Sequence, residues 1–137
     1  MRSVILVGAA ALLVAACWIF LRPADNERFI RLDAPKRSPS GAFTAYVVPG
    51  PVQNSVKTLI PVIRDSNNIE VFHDTEAYST RHGVGVTWLS TKDQLWILSG
   101  DVGDAYVELG SDGAWHKTWL TPEMKNPIPS EIEKLTR

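Results

Sequence analysis

The feature that most constrains this chain is an uncharged run of 18 residues near its start, from Val4 to Leu21. As an α-helix this run would extend for about 27 Å, close to the thickness of the hydrocarbon core of a bilayer. A water-soluble helix of this length does not need apolar residues on every face. We therefore predict a membrane segment over residues 1–21, which leaves the globular fold to the rest of the 137-residue chain.

Three fates of this segment are consistent with its residues. It could be an uncleaved transmembrane anchor, a lipoprotein-type signal that is lipidated at Cys17, or a secretory signal that is cut away near Ala16. The run Val14–Cys17 resembles the bacterial lipobox, which ends in the modified cysteine, and Cys17 is the only cysteine of the chain. The apolar residues continue past Cys17, which favours the anchor. In all three cases residues 4–21 tie the chain to a membrane or carry it through one.

Positive charges flank the segment unequally. The positive-inside rule would place the following domain in the cytoplasm, because one basic residue precedes the segment and five follow it. An arginine followed at once by an apolar run is, however, the layout of an export signal. We predict an extracytoplasmic domain at a bacterial inner membrane, facing the periplasm, and keep the cytoplasmic orientation as the alternative. The five following basic residues are Arg22, Arg28, Arg31, Lys36 and Arg37.

Composition, charge and length limit which partners the chain can have and how many domains it can form. The chain has 14 Lys and Arg against 15 Asp and Glu, a net charge of −1. Nucleic-acid-binding domains usually carry a basic surplus, so we predict no nucleic-acid partner. Residues 22–37 are rich in charged residues and contain prolines, which is typical of a stalk. Residues 38–137 have a common size for a single domain.

Residues 38–137 alternate between short β-prone runs and turn-forming residues. Runs rich in Val, Ile, Thr and aromatic residues favour strands, and the Gly, Pro, Asn and Asp between them favour turns. We therefore predict a mainly β fold: one small antiparallel domain, built as a hairpin meander of about six to eight strands, with a short C-terminal helix. The predicted strands are 42–48, 57–65, 69–74, 84–90, 94–99, 104–110 and 114–120.

Three local patterns sharpen this prediction. Pro61 interrupts a predicted strand and indicates an edge position or a bulge, because proline cannot donate to the ladder. The strands 84–90 and 94–99 are apolar on both faces, so we expect them to be covered on two sides. Ser130 and Glu133 have the spacing of a capping box, which predicts the start of the C-terminal helix.

Residues that could support catalysis or metal binding are sparse and poorly spaced. His73 and His82 could converge with Glu76 if the loop between them folds back, and histidine with carboxylate suits zinc. Their spacing matches no zinc signature, and no serine lies in a Gly-x-Ser-x-Gly turn. We predict no enzymatic activity, no metal site and no cofactor, with His73, His82 and Glu76 as weak metal candidates.

An acidic stretch that contains tryptophans is the stronger candidate for binding. Between Lys92 and Lys117 the chain has five acidic residues and no Lys or Arg. An acidic patch attracts a basic partner, and tryptophan is enriched at binding hot spots. The alternative is that turns favour aspartate for its local hydrogen bonds. The predicted partner-binding residues are Asp101, Asp104, Glu108, Asp112, Trp115 and Trp119.

These features together predict a membrane-tethered extracytoplasmic binding protein that captures or inhibits a protein partner, with the acidic stretch favouring a basic one. An immunity protein that guards against a secreted toxin would have this layout, as would an accessory subunit of an envelope complex. Two alternatives remain. One is a small metal- or ligand-binding protein or enzyme that uses His73, His82 and nearby carboxylates, and the other is a structural envelope protein.

Overall fold

The computed structural model describes residues 25–124 and 128–136. The predicted membrane segment, with the lipidation candidate Cys17, lies outside these residues. No helix within the described ranges is long and apolar enough to span a bilayer. The described part contains a 3₁₀ helix, Asp25–Arg28, nine strands and one α-helix. In chain order these are β1 (Lys36–Arg37), β2 (Phe43–Pro49), β3 (Thr58–Asp65), β4 (Glu70–His73), β5 (Tyr78–Ser79), β6 (Val84–Trp88), β7 (Gln94–Ser99), β8 (Ala105–Leu109), β9 (Trp115–Trp119) and α1 (Ser130–Glu133).

The strands form two antiparallel sheets. In the first sheet the order is β1-β2-β3-β4, and β5 also pairs with β3. The second sheet is the meander β6-β7-β8-β9. The mainly β, antiparallel fold with a short helix is thus confirmed, but it has two sheets and nine strands. The additional strands, β1 and β5, are two residues long, which is too short to show the two-residue periodicity that identifies a strand in a sequence.

The main hydrophobic core lies between the two sheets. Alternate residues of each strand point into this layer, as the two-residue period of a strand requires. Ile30 closes one side of it, and its N–H donates to the carbonyl of Val86 at 2.8 Å. The described part of the predicted stalk, residues 22–37, therefore packs on the sandwich. The buried core residues are Ile30, Ala45, Val47, Ile63, Tyr78, Val86, Trp88, Leu95, Ile97 and Val107.

Strand β7 is buried on both faces, as its sequence predicts. Leu95 and Ile97 face the first sheet, whereas Trp96 lies in a second cluster with Leu89 and Ile132 of α1. Ile132 is fully buried. The short C-terminal helix therefore covers the outer face of the second sheet, and the domain has three layers.

Pro61 lies in a central strand, so of the two predicted alternatives the edge position is wrong, whereas the β3–β4 register shifts, as at a bulge, between Ile63 and Arg64. Strand β3 pairs with β2 on one side and with β5 and then β4 on the other. Gly50 donates to Thr58 across the β2–β3 ladder, and the alternation of that ladder turns the missing N–H of Pro61 toward the other side. On that side Pro61 contributes only its carbonyl. The Pro61 carbonyl accepts the N–H of Asp74 at 3.0 Å.

Helix α1 begins without the predicted capping box. Its N-cap is Pro129, and no side chain caps the first turn. Glu131 ties the helix down instead, since its Oε1 accepts from the N–H of Ser90 at 3.1 Å and from the Ser90 hydroxyl at 2.9 Å. Its Oε2 accepts from Arg28 at 3.0 Å. The same guanidinium donates to the hydroxyl of Thr87 at 3.1 Å, so one cluster joins the start of the described chain, the end of β6 and the helix.

We expect Glu131→Gln to reduce the acid sensitivity of the fold. Partial burial acts to raise the pKa of Glu131, but the N–H and hydroxyl of Ser90 and the Arg28 guanidinium outweigh it and hold the pKa below its usual value. A carboxyl with a lowered folded-state pKa stabilises the fold above its unfolded pKa, about 4.5, and loses this contribution as the pH falls through the folded pKa. The variant should lose about 1 kcal/mol at pH 7 and less below pH 4.

The measurement is urea unfolding of the detergent-solubilised chain at several pH values, followed by tryptophan fluorescence. If the unfolding free energies of the parent and of Glu131→Gln change with pH in the same way between pH 7 and pH 3, this role of Glu131 is contradicted.

Candidate functional site

Three connections converge at one end of the sandwich, which we call the loop end. They are residues 51–56 between β2 and β3, residues 80–83 between β5 and β6, and residues 100–103 between β7 and β8. The antiparallel order of the strands brings these connections to the same end. Loops that a rigid sheet positions are where binding residues concentrate in proteins.

Main-chain hydrogen bonds hold the loops in place. Thr80 donates to the carbonyl of Lys57 with both its N–H, at 3.0 Å, and its hydroxyl, at 2.9 Å. The N–H of Gly100 donates to the carbonyl of Gly83 at 3.3 Å. A Cβ on Gly100 would lie 2.9 Å from the carbonyl oxygen of His82, so only glycine allows these two loops to approach this closely. Loop 80–83 is therefore linked by hydrogen bonds to the start of β3 and to loop 100–103.

The loop end contains a polar hollow of about 170 Å³. Its walls come from all three loops and offer a guanidinium, an imidazole, a carboxylate and side-chain amides. Such a set can donate to and accept from the main chain or the polar side chains of a bound molecule. The residues that supply these groups are Gln53, Asn54, Arg81, His82 and Asp101.

Two exposed valines flank the hollow. Val52 is 67% exposed and Val102 is 43% exposed, and their chain neighbours Gln53 and Asp101 both line the hollow. Each valine lies in a tightly turned loop. The hydroxyl of Ser99 accepts the N–H of Val102 at 3.2 Å. The loop end thus combines apolar contact area with hydrogen-bonding groups, which is the usual composition of a protein-binding surface.

A tight turn shapes the first of these loops. Asn54 and Ser55 have φ values of 50° and 64°, in the left-handed region that most residues avoid. Asparagine tolerates this conformation through its short polar side chain, whereas serine adopts it less readily. They are the two central residues of a tight hairpin turn that Gln53 and Val56 close with two main-chain hydrogen bonds of 3.0 and 2.9 Å, and such a turn needs positive φ at both positions.

A larger, more apolar groove of about 790 Å³ borders the loop end through Gly83 and Gly100. It runs along β6, beside the segment that precedes β1. Its apolar walls include Phe29, Leu32, Leu59, Val84, Leu98 and Leu135. Leu32 is 58% exposed, so the apolar surface continues outward from the groove.

The predicted acidic residues do not share one surface. Asp101 lines the hollow, whereas Asp104 lines the larger groove and accepts the N–H of Ser99 at 3.1 Å with its Oδ1. Glu108 lies partway along β8 and accepts from Gln94 at 2.9 Å. Asp112 lies in the β8–β9 turn at the opposite end of the sheet. The run of acids therefore follows the length of a strand.

Asp112 forms its own local cluster in that turn. Its carboxylate accepts the N–H of Ala114 at 3.0 Å and contacts the imidazole of His116 at 2.8 Å. These two interactions, the N–H first, lower the pKa of Asp112 below its usual value. Both side chains are exposed, so the cluster shapes the turn and adds little to stability.

The two predicted tryptophans of β9 point toward the first sheet. Trp115 packs edge-on against Phe43, with ring centroids 4.9 Å apart, and against Trp88 at 6.3 Å. Trp119 is 38% exposed, and the ammonium of Lys117 lies 4.1 Å from the centre of its ring. Trp115 therefore belongs to the core, whereas Trp119 remains available to a partner.

Sequence reasoning missed a buried ionic cluster between the sheets. The Nζ of Lys117 lies 2.8 and 2.9 Å from the two carboxylate oxygens of Asp74, and the hydroxyl of Tyr78 donates to Asp74 Oδ2 at 2.8 Å. The side chain of Asp74 is only 1% exposed. Burial and the hydrogen bond to Asp74 raise the pKa of Tyr78, so the phenol stays protonated as a donor. The cluster connects β9 to the edge of the first sheet.

The weak metal candidates lie apart. His73 pairs with Glu70 at 2.8 Å on the exposed surface of β4, and His82 lines the hollow. The main chain of Glu76 is part of the Asp74 turn. Within residues 25–124 and 128–136, no three His, Cys, Asp or Glu side chains come close enough to hold a metal ion.

The fold and site define a two-sheet antiparallel β domain with a hydrogen-bonded loop surface and a separate buried ionic cluster. The sequence matches no protein-family model, and comparisons with curated proteins and with solved structures find no significant match.

Proposed function

We propose that this chain is a membrane-tethered extracytoplasmic binding protein, and that it captures or inhibits a protein partner through its loop end. The observation that carries the proposal is the convergence of Val52, Val102 and the polar hollow on one hydrogen-bonded surface. Exposed apolar side chains beside fixed polar groups resemble the centre and rim of a protein interface.

The position of the loop end suits a tethered protein. The described chain begins at the other end of the sandwich, where Arg28 donates to the carbonyl of Trp88 at the end of β6. The loop 80–83 precedes β6 and therefore lies a full strand length away. A segment that attaches residue 25 to a membrane thus leaves the loop end free to meet a partner.

The charge of the loop end suggests a partner of mixed polarity. Asp101 provides a carboxylate and Arg81 a guanidinium within the same hollow. Complementary charges on a partner would fix its orientation, while the valines supply the contact area. This refines the acidic surface expected from the sequence to a pair of opposite charges.

The test is co-purification of the tagged full-length chain in mild detergent from its native cells. The parent should bring down one stoichiometric partner, and a double variant, Val52→Lys with Val102→Lys, should lose it. The control is Ile69→Lys, which places one such charge on an apolar residue that is 59% exposed in the turn at the opposite end. A partner that survives the double variant, or that is lost equally with the control, would contradict the proposal.

The orientation is tested separately. A phosphatase reporter fused after Arg137 is active only when it is exported, and we expect activity. A stable but inactive fusion would contradict the extracytoplasmic location and favour the cytoplasmic alternative.

A further inference from the structure

Strand β9 has one unpaired side. Among the described strands it pairs only with β8. Ala114 accepts the N–H of Gly110 at 2.7 Å, and Leu120 donates to Asp104 at 2.9 Å, so the even-numbered residues direct their main-chain groups toward β8. Because an antiparallel ladder alternates, the main-chain N–H and C=O groups of Trp115, Lys117 and Trp119 point away from the sheet. They form a free edge that another strand can join.

The side chains of this edge are ordered symmetrically about Lys117. The sequence of β9 is Trp-His-Lys-Thr-Trp, with a tryptophan two residues on either side of the lysine. If two copies pair antiparallel about Lys117, Trp115 of each copy faces Trp119 of the other. Aromatic cross-strand pairs of this kind stabilise a sheet. The exposed side of Trp119 would then be covered by a second indole.

A lysine that points inward from an edge strand usually opposes such pairing, because association would bury an unpaired charge. Here the ammonium of Lys117 is already neutralised within its own subunit by Asp74, at 2.8 and 2.9 Å. Pairing of two edges therefore leaves no charge without a counter-ion. The lysine charge that would otherwise oppose self-association is thus neutralised within each subunit.

We propose that two copies of this chain associate through β9 as a two-fold symmetric dimer, in which the second sheets join into one eight-stranded sheet. An isologous contact of this type uses the same strand from both subunits. The partner is a second copy, and the contact is distinct from the loop end, so this inference does not rest on the proposed function.

The symmetry agrees with attachment of both copies to one membrane. The two-fold axis between antiparallel neighbours is perpendicular to the sheet, so the faces covered by α1 lie on the same side of the dimer. Arg28 is bound to Glu131 of α1 on that face. The described N-terminal segments of both copies therefore begin on the same face of the joined sheet, at its two opposite ends.

The register predicts a specific disulfide. With Lys117 on the axis, His116 of one copy faces Thr118 of the other in a non-hydrogen-bonded pair, with Cα atoms about 4.5 Å apart. The two copies of position 116 would be about 8 Å apart, as would those of position 118. A disulfide needs Cα atoms within about 7 Å, so only the mixed pair can cross-link.

The experiment co-expresses full-length chains that carry His116→Cys and Thr118→Cys under different tags, each with Cys17→Ser. After extraction in mild detergent and oxidation, we expect a covalent dimer that contains both tags, and none when either variant is expressed alone. Adding Trp119→Glu to both chains should abolish the cross-link, whereas adding Ile69→Glu at the exposed turn should not.

Absence of the mixed dimer, in samples whose thermal unfolding matches that of the parent, would overturn the inference. Equal cross-linking of His116→Cys with itself would show association in another register and would overturn it as well. Every variant retains the loop end, so co-purification of a protein partner can be scored in the same samples. The dimer and the partner-binding function are therefore tested independently of each other.

Discussion

Replacing Lys117 with methionine should lower the unfolding free energy by about 3–5 kcal/mol, because it leaves a buried carboxylate without its counter-ion. The side chain of Asp74 is 1% exposed, and that of Lys117 is 14% exposed. Without the ammonium, Asp74 keeps only the hydroxyl of Tyr78 at 2.8 Å and the N–H of Glu76 at 3.0 Å. These two uncharged donors do not offset the free energy that it costs to remove a full negative charge from water.

The matched control removes the negative charge of Asp74 together with the lysine. In the double variant Asp74→Asn with Lys117→Met, the amide oxygen can still accept the N–H of Glu76, and the amide NH2 can donate to the hydroxyl oxygen of Tyr78. Most of the lost stability should therefore return. Urea unfolding of the detergent-solubilised chain, followed by tryptophan fluorescence, measures both variants. A loss below about 1 kcal/mol for Lys117→Met would contradict a role of this ion pair in joining the sheets.

Replacing Ile132 with alanine should cost about 2–5 kcal/mol, the usual range for deleting a buried aliphatic side chain. Ile132 is fully buried although α1 has only four residues. A helix of one turn has almost no stability of its own, so packing must hold it in place. The same side chain covers Trp96, and its removal would leave a cavity on the outer face of the second sheet.

The control for this prediction is Ile69→Ala, the same substitution at a residue that is 59% exposed. It should change the unfolding free energy by less than about 0.5 kcal/mol. If Ile132→Ala and Ile69→Ala lower the unfolding free energy by the same small amount, α1 does not form the third layer of the domain in solution.

The β architecture was predictable because its signal is local. Each of β2, β3, β6, β7, β8 and β9 carries a run of β-prone residues, and turn residues separate the runs. The two-sided burial of β7 follows directly from apolar residues at successive positions. By contrast, the division into two sheets depends on pairing between strands, which no local pattern shows: β3 pairs with β2, β4 and β5, whereas β6 pairs with β7.

The buried ionic cluster depends on contacts across the chain. Lys117 lies 43 residues from Asp74, and no spacing rule connects the two. One sequence signal does exist: Lys117 alternates with Trp115 and Trp119 on a face that points inward. A lysine on such a face requires an acidic partner, although the sequence does not identify which one.

The candidate site was predictable only in part, because loops are placed by strand order. Asp101 lies in the loop end, but its neighbours there, Gln53 and Arg81, come from other hairpins. The sequence joined Asp101 with Asp112 as members of one acidic run. In the fold, strand β8 separates the two turns that contain them.

Site-specific photo-cross-linking in native cells tests the central claim most directly. A photoreactive amino acid at position 102 should form, on irradiation, a covalent adduct with a single protein partner at the loop end. The same amino acid at position 69, exposed at the opposite end of the sandwich, should form no such adduct. Absence of an adduct at position 102, or equal adducts at both positions, would contradict partner capture by the loop end.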